Sequence, residues 1–252
     1  METKEQYKDC ILFYRLGDFY EMFFDDALVA SKELEITLTG KSCGLEERAP
    51  MCGIPYHAVE GYLSKLVSRG YKVAICEQVE DPKLAKGLVK REVIRVVTPG
   101  TNLNVQSLEA GKNNYLLSIA YTSDGIGISA ADVTTGDYYV TEVEDLKKLN
   151  DELMKYEPSE IICNEAFLVS GFDVNDLKSR LHISVNALES HMFDDDGCRR
   201  ILMKHFKVNT LIGLGVEEFP TGLLAAGALL QYLYDTQKTD LEHFTHIYPY
   251  LT

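Results

Sequence analysis

The chain has 252 residues, a 46% hydrophobic fraction and a formal net charge of −14. Single domains usually run to roughly 100–200 residues, so two domains are expected, and the composition excludes disordered and collagen-like classes. No apolar run approaches the ~20 residues that span a bilayer, and residues 1–9 are too charged for the core of a signal peptide, which points to a cytoplasmic protein with no membrane partner.

Residues 10–16 (Cys-Ile-Leu-Phe-Tyr-Arg-Leu) read as a strand. Gly17-Asp18 is a two-residue turn with Gly first, suited to a type II′ hairpin, and the following Phe-Tyr-Glu-Met-Phe is then the return strand. Asp25 and Asp26 are placed to cap a helix over 26–35. A short strand at 36–39 leads into a loop over 40–53 rich in Gly, Pro and charge. Pro55 suits the first turn of a helix running to Ser68, which Gly70 closes. Strands at 71–79 and 92–97 follow, separated by a basic loop over 81–91. Thr98-Pro-Gly-Thr ends this mixed-sheet α/β domain, giving a domain at 1–100 and a polar linker at 101–112.

The second domain, 113–240, opens with strands at 115–121, 126–133 and 137–143. Ser-Asp-Gly and Thr-Thr-Gly turns join them, implying antiparallel pairing. Helix 145–156, strand 160–163, helix 173–181, strand 182–185 and helices 195–206 and 220–237 complete it. Three antiparallel strands followed by alternating α and β is the order of ribonuclease H-like α/β folds, with helices on both faces of a mixed sheet. Residues 241–252 read as the start of a link to a further lever or core domain.

Phosphate binding normally relies on surplus Lys and Arg, so a charge of −14 opposes it. The charge is uneven: residues 1–100 hold 14 basic and 16 acidic side chains, whereas 101–252 hold 11 and 23. Within 65–95 eight basic residues (Lys65, Arg69, Lys72, Lys83, Lys86, Lys90, Arg91, Arg95) face four acidic ones. This stretch is either a local basic patch or a solvated charged face. The six cysteines have no C-x-x-C spacing, so free thiols in a reducing cytosol are expected rather than a zinc site.

The run Phe13-Tyr-Arg-Leu-Gly-Asp-Phe-Tyr-Glu-Met-Phe-Phe-Asp-Asp-Ala closely resembles the start of the mismatch-recognition domain of the MutS family of DNA mismatch-repair proteins, whose signature is Gly-Asp-Phe-Tyr-Glu. Two later blocks agree in order and spacing: Met51-Cys-Gly-Ile-Pro-Tyr-His-Ala-Val-Glu-Gly-Tyr-Leu, and Ala74-Ile-Cys-Glu-Gln-Val-Glu-Asp-Pro through Val97-Thr-Pro-Gly-Thr. The likeness covers residues 4–104. From 113 onward a resemblance to the family's connector domain rests on Asp132-Val-Thr-Thr-Gly and on element order.

Side chains alternate faces along a strand, so Phe19 and Glu21 project together, with Tyr20 and Met22 on the opposite face. A minor-groove reader needs such a pair: an apolar ring that wedges into a base step and a polar group that reaches the displaced base. Unstacking is cheapest where pairing is already defective, so selectivity arises from deformability without reading sequence. On pattern alone Phe13, Tyr14, Phe19, Tyr20, Phe23 and Phe24 also suit one aromatic core. The resemblance implies that Phe19 is the stacking wedge and Glu21 the group bonding the mispaired base, with Phe13, Phe23 and Phe24 left to the core. It also implies DNA contact by Leu16, beside the turn. Tyr56 and His57, at a helix N-terminus, suit either phosphate contact or capping. Arg15, Lys65 and Arg95 are further phosphate candidates by position.

The resemblance implies mismatched double-stranded DNA as partner, a MutL-type protein docking on the connector, and a homodimeric bacterial parent acting at the nucleoid. Lever, clamp and ATPase domains are missing from the chain. No G-x-x-x-x-G-K-[ST] phosphate loop occurs, so ATP and Mg²⁺ belong to the missing ATPase; the chain is expected to need no cofactor and to catalyse nothing itself. Two other classes stay open. A ribonuclease H-like nuclease would need convergent carboxylates around metal ions; Asp132 lies on a strand where one would sit, whereas Asp194, Asp195 and Asp196 read as a helix-capping run and Asp173 and Asp176 as the start of another helix. A protein-interaction module would use the apolar helix 223–233, which equally suits a core.

Overall fold

A computed structural model describes residues 2–44, 46–81, 83–103 and 111–252. The chain falls into two units, Met1–Ser107 with Thr236–Lys238 and Leu108–Asp235 with Thr239–Thr252. Most of the expected linker, residues 104–110, lies outside the described residues.

In the first unit, α1 (Glu2–Gln6) precedes the hairpin of β1 (Cys10–Leu16) and β2 (Phe19–Phe23). Gly17 takes φ +59 and Asp18 stays out of the left-handed region, as a turn with its glycine first requires. The turn sets the register Leu16↔Phe19, Arg15↔Tyr20 and Tyr14↔Glu21. There follow α2 (Phe24–Leu34), β3 (Thr39–Lys41), β4 (Ala49–Pro55), a 3₁₀ turn (Tyr56–Ala58), α3 (Val59–Val67), β5 (Lys72–Gln78) and β6 (Arg91–Val97). The sheet order is β3-β4-β2-β1-β5-β6, with β1 and β5 parallel and the other neighbours antiparallel. Ile11 and Phe13, Tyr20 and Met22, and Val73 and Ile75 turn one face inward to pack with Ala27, Ala30 and Leu34 of α2 and Leu63, Leu66 and Val67 of α3.

Three sequence expectations need correction here. The short strand lies at Thr39–Lys41 instead of 36–39. The supposed loop 40–53 contains β4, which pairs with both β2 and β3. Pro50, Gly53 and Pro55 hid it; Pro50 lies beyond the stretch Met51–Pro55 that pairs with β2, and Gly53 and Pro55 lie beyond the stretch Ala49–Met51 that pairs with β3, so each has one side unpaired. Helix α2 begins at Phe24 and neither Asp25 nor Asp26 caps it. Asp26 instead accepts hydrogen bonds from the Leu12 amide at 3.0 Å and from Lys4 Nζ at 2.8 Å, tying the helix to β1.

The second unit comprises β7 (Tyr115–Thr122), β8 (Gly125–Asp132), β9 (Asp137–Val143), α4 (Leu146–Tyr156), β10 (Glu160–Cys163), α5 (Glu165–Leu168), α6 (Val174–Ser179), β11 (Ser184–Ala187), α7 (Asp195–Phe206), α8 (Pro220–Gln237) and β12 (Tyr248–Pro249). Its sheet order is β11-β10-β7-β8-β9-β12. β7, β8 and β9 are antiparallel, while β10 and β11 continue parallel from β7, the ribonuclease H-like arrangement. Leu149, Leu153, Phe167 and Leu177 cover one face, and α7 and α8 the other. Asp145, Asp173 and Asp194 cap α4, α6 and α7 through amides three residues on, at 2.8, 3.0 and 2.9 Å. Strand β11 lies two residues later than expected, α6 is shorter than 173–181, and α5 was not foreseen. Tyr248 and Pro249, in the supposed link 241–252, add β12 beside Tyr139 and Val140 of β9.

Helix α8 is a core helix: Leu223, Leu229, Leu230 and Leu233 are fully buried, each worth about 1.5–3 kcal/mol of burial. It lies so close to its neighbours that a Cβ on Gly127 of β8 would sit 1.9 Å from the Thr221 carbonyl oxygen, and one on Gly227 2.3 Å from Cys198 Cβ. Cys10, Cys52, Cys76, Cys163 and Cys198 are buried free thiols and Cys43 an exposed one. Burial pushes the Cys10 thiol up to about 12 and that of Cys52 up to about 11, which keeps both protonated and inert. Among the described residues no helix is long and apolar enough to cross a membrane.

Gly127→Ala is expected to lower the stability of the second unit by at least about 1–3 kcal/mol, because the new methyl meets backbone. Gly61→Ala in α3, where the added Cβ meets nothing within 4 Å, is expected to raise that of the first unit by up to about 1 kcal/mol. Urea unfolding followed by circular dichroism checks both; equal midpoints for wild type and Gly127→Ala would contradict the close approach.

Candidate nucleic-acid interface

Strand direction gathers the site at one end of the first sheet. β1 and β5 are parallel, so the turn after Leu16 and the loop after Gln78 emerge at the same end. β2 starts there, and β4 ends there because Phe19 is paired with Pro55. The rim therefore carries Leu16, Gly17-Asp18, Phe19, Tyr56 and His57, with Lys83 and Lys86 exposed on the neighbouring loop.

The aromatic residues of the hairpin divide sharply. Phe13 is fully buried and Tyr20 is 5% exposed, whereas Phe19 is 48% exposed. Tyr14, Phe23 and Phe24 are half-buried. Gly53 lies opposite Glu21; a Cβ there would sit 3.7 Å from Glu21 Cγ and 3.9 Å from Phe19 Cδ1. Phe19 and Glu21 thus flank one glycine on the face away from the helices. The Glu21 carboxylate is met by Lys41 of β3, with Nζ 2.6 Å from Oε2.

Tyr20 and Arg15 brace the turn from the other face. The Tyr20 hydroxyl donates to the Glu77 carboxylate, and burial followed by that acceptor holds its pKa well above 10. Arg15 Nη1 lies 3.2 Å from Glu77 Oε1, its Nε donates to the Gly17 carbonyl at 2.5 Å, and its guanidinium stacks 3.8 Å from the Tyr56 ring centre. The Tyr56 amide closes the circuit by donating to the Asp18 carbonyl at 3.0 Å. His57 packs edge-on to Tyr56 with ring centres 6.0 Å apart.

Other basic candidates lie elsewhere. Lys65 is on α3, which leads away from the rim, and pairs with Glu35 at 3.3 Å. Arg95 faces the helices opposite Ile75 and donates to the Thr101 carbonyl at 3.0 Å. Arg69, Lys72 and Lys90 pair with Glu33, Asp9 and Glu92. Half of the eight basic residues of 65–95 are thus ion-paired, Arg91 and Arg95 donate to backbone carbonyls, and Lys83 and Lys86 stand exposed on the rim loop. Sequence reasoning missed these two as individuals because only parallel pairing of β1 with β5 puts their loop beside the turn. It missed Lys41 because β3 was drawn too early. In the second unit Asp132 is fully buried and serves the β8–β9 turn, accepting from the Asn114 amide at 3.1 Å and from the Thr134 amide and hydroxyl at 2.8 and 2.5 Å. Among the described residues no group of three or more His, Cys, Asp or Glu side chains is placed to hold a metal ion.

The family description MutS domain I matches residues 1–106, and MutS domain II matches 114–245. Curated relatives bearing the name DNA mismatch repair protein MutS include those of Lachnoclostridium phytofermentans, 67% identical over the whole chain, Ruminiclostridium cellulolyticum, 52% identical over 96% of it, and Acetivibrio thermocellus, 51% identical over 99%. The chain spans 27%, 28% and 29% of the length of these relatives.

If Arg15 braces the turn, Arg15→Ala removes a cation–π stack and a carbonyl hydrogen bond, together worth about 1–2 kcal/mol. Exchange of the Tyr56 amide hydrogen is then expected to accelerate by roughly tenfold or more, while amides of the second unit keep their rates. Unchanged Tyr56 exchange would show that the guanidinium does not hold the turn.

Proposed function

The chain belongs to the MutS family, and from that premise we propose that the rim of the first unit is the surface that recognises mismatched double-stranded DNA. One observation carries this reading: a half-exposed phenylalanine and a carboxylate share one strand face over Gly53, at the tip of a braced hairpin. Phe19 enters a base step from the minor groove and stacks on the mispaired base, and Glu21 hydrogen-bonds that base. Leu16, paired with Phe19, lies beside the wedge, and Tyr56, His57, Lys83 and Lys86 border the groove for backbone contact. Arg15 acts through the turn, because its donors already face Glu77 and Gly17. This reading assigns no contact to Lys65, which pairs with Glu35, or to Arg95, which donates to the Thr101 carbonyl.

Energetics favour a defective step. Inserting a ring costs a few kcal/mol of unstacking, which a mismatch has already partly lost. A carboxylate near phosphates is repelled on every duplex and regains free energy only where a displaced base offers it a donor, so Glu21 contributes discrimination more than affinity.

The second unit is acidic and its apolar helix α8 is buried, so we assign it a connecting role with a surface for a MutL-type partner. In the parent, ATP and Mg²⁺ would be bound by a domain outside this chain, and the working form would be a homodimer. No residue of this chain is assigned to ATP.

Fluorescence anisotropy of the chain at low salt on matched and G·T duplexes tests the interface. Phe19→Ala should lose roughly five- to a hundredfold in affinity for the G·T duplex and less for the matched one, the scale of one lost base–aromatic stack. Glu21→Ala should preserve or raise matched-duplex affinity while narrowing the G·T preference. Equal binding by wild type and Phe19→Ala would overturn the wedge, and unchanged discrimination by Glu21→Ala would overturn the role of the carboxylate.

A further inference from the structure

Lys41 stands on the short edge strand β3, opposite Ala49, so its side chain must cross the sheet face to reach β2. It does so past the Phe23 ring, 5.8 Å from the ring centre, and ends 2.6 Å from Glu21 Oε2. The pair is shielded unequally: the Glu21 side chain is 15% exposed and that of Lys41 41%. Hydrogen bonding is also unequal. Lys41 takes Oε2, and among the described residues no donor takes Oε1.

From this geometry we infer that Lys41 is the positioning residue for base discrimination, a role that rests on the reading of Glu21 given above. Its ammonium holds one carboxylate oxygen, fixes the side chain beside Phe19 and leaves the other oxygen open for a base. It also offsets a charge that phosphates would otherwise repel before the base is reached. With Lys41 in place the carboxylate needs no rearrangement when the wedge enters. Without it, Glu21 gains rotamer freedom, which costs most on the duplex where Oε1 would be used, and an uncompensated charge, which phosphates repel weakly on either duplex.

A double-mutant cycle on the whole chain tests this, with anisotropy on matched and G·T duplexes across a salt series. Lys41→Met keeps the aliphatic stem and removes the ammonium. In the wild-type background it should cut G·T affinity by roughly three- to tenfold, the scale of a partly exposed ion pair, and matched affinity by less than about twofold. In the Glu21→Ala background it should change both duplexes by the same small factor. Lys41→Arg, which can re-form the pair, should restore most of the discrimination, and circular dichroism of each variant checks that it folds. An equal loss on both duplexes in both backgrounds, with the salt slope reduced by about 0.9, would make Lys41 a phosphate contact and overturn the inference. No change in either background would overturn it as well. If Glu21→Ala alone leaves discrimination intact, the Glu21 reading falls, and Lys41 with it; if Glu21→Ala narrows discrimination but Lys41→Met acts independently of it, only the Lys41 inference falls.

Discussion

The register set by the Gly17-Asp18 turn decides what this hairpin can do. Side chains alternate along a strand, so a slip of one residue would carry Phe19 into the helix-covered core and expose Tyr20. The turn prevents this with a glycine at φ +59 and the pairing Leu16↔Phe19. The sorting of the hairpin's side chains between the two faces follows from that pairing. Phe13 and Tyr20 go inward to the α2 and α3 core, while Phe19 and Glu21 go outward over Gly53. Arg15, Glu77 and Tyr56 then lock the turn from the core side.

This division has an energetic cost. Fully burying a phenylalanine contributes about 1.5–3 kcal/mol, so a ring left half-exposed forgoes something on the order of 1 kcal/mol. Neighbouring groups offset the loss: Met22 is wholly buried, and Tyr20 packs against Phe13 with ring centres 6.0 Å apart while its hydroxyl is bonded to Glu77. A flexible exposed ring would lose rotamer freedom on entering a base stack. Here it is mounted on a strand paired on both sides.

Much of this was legible in the sequence, for identifiable reasons. β1, the turn and β2 follow period-two alternation around a glycine-first turn, and the antiparallel β7–β9 meander is bounded by Gly-containing turns. What was missed lacks such signals. β4 contains two prolines and a glycine, each at a position where only one neighbouring strand pairs with it. β12 has two residues and no period at all. The pairing of Lys41 with Glu21, and the diversion of Arg15 and Arg95 to internal acceptors, depend on which strands become neighbours, and local sequence does not specify that. Family likeness supplied the proposed roles of Phe19 and Glu21; pattern alone also suited Phe19 to an aromatic core.

The second unit follows a different constraint, close approach. Gly127 and Gly227 let α8 settle onto the sheet and α7 with almost no clearance, and its apolar residues are buried in the unit's own core. In the first unit the Phe19 ring is left half-exposed at the rim. Fluorescence of 2-aminopurine placed in the base step beside a G·T mismatch reads the use of that ring most directly, since the probe brightens when it is unstacked. Binding of the wild-type chain should raise the emission, and Phe19→Ala at concentrations giving equal occupancy should leave it near the level of free duplex. An equal rise with Phe19→Ala would contradict insertion of the ring.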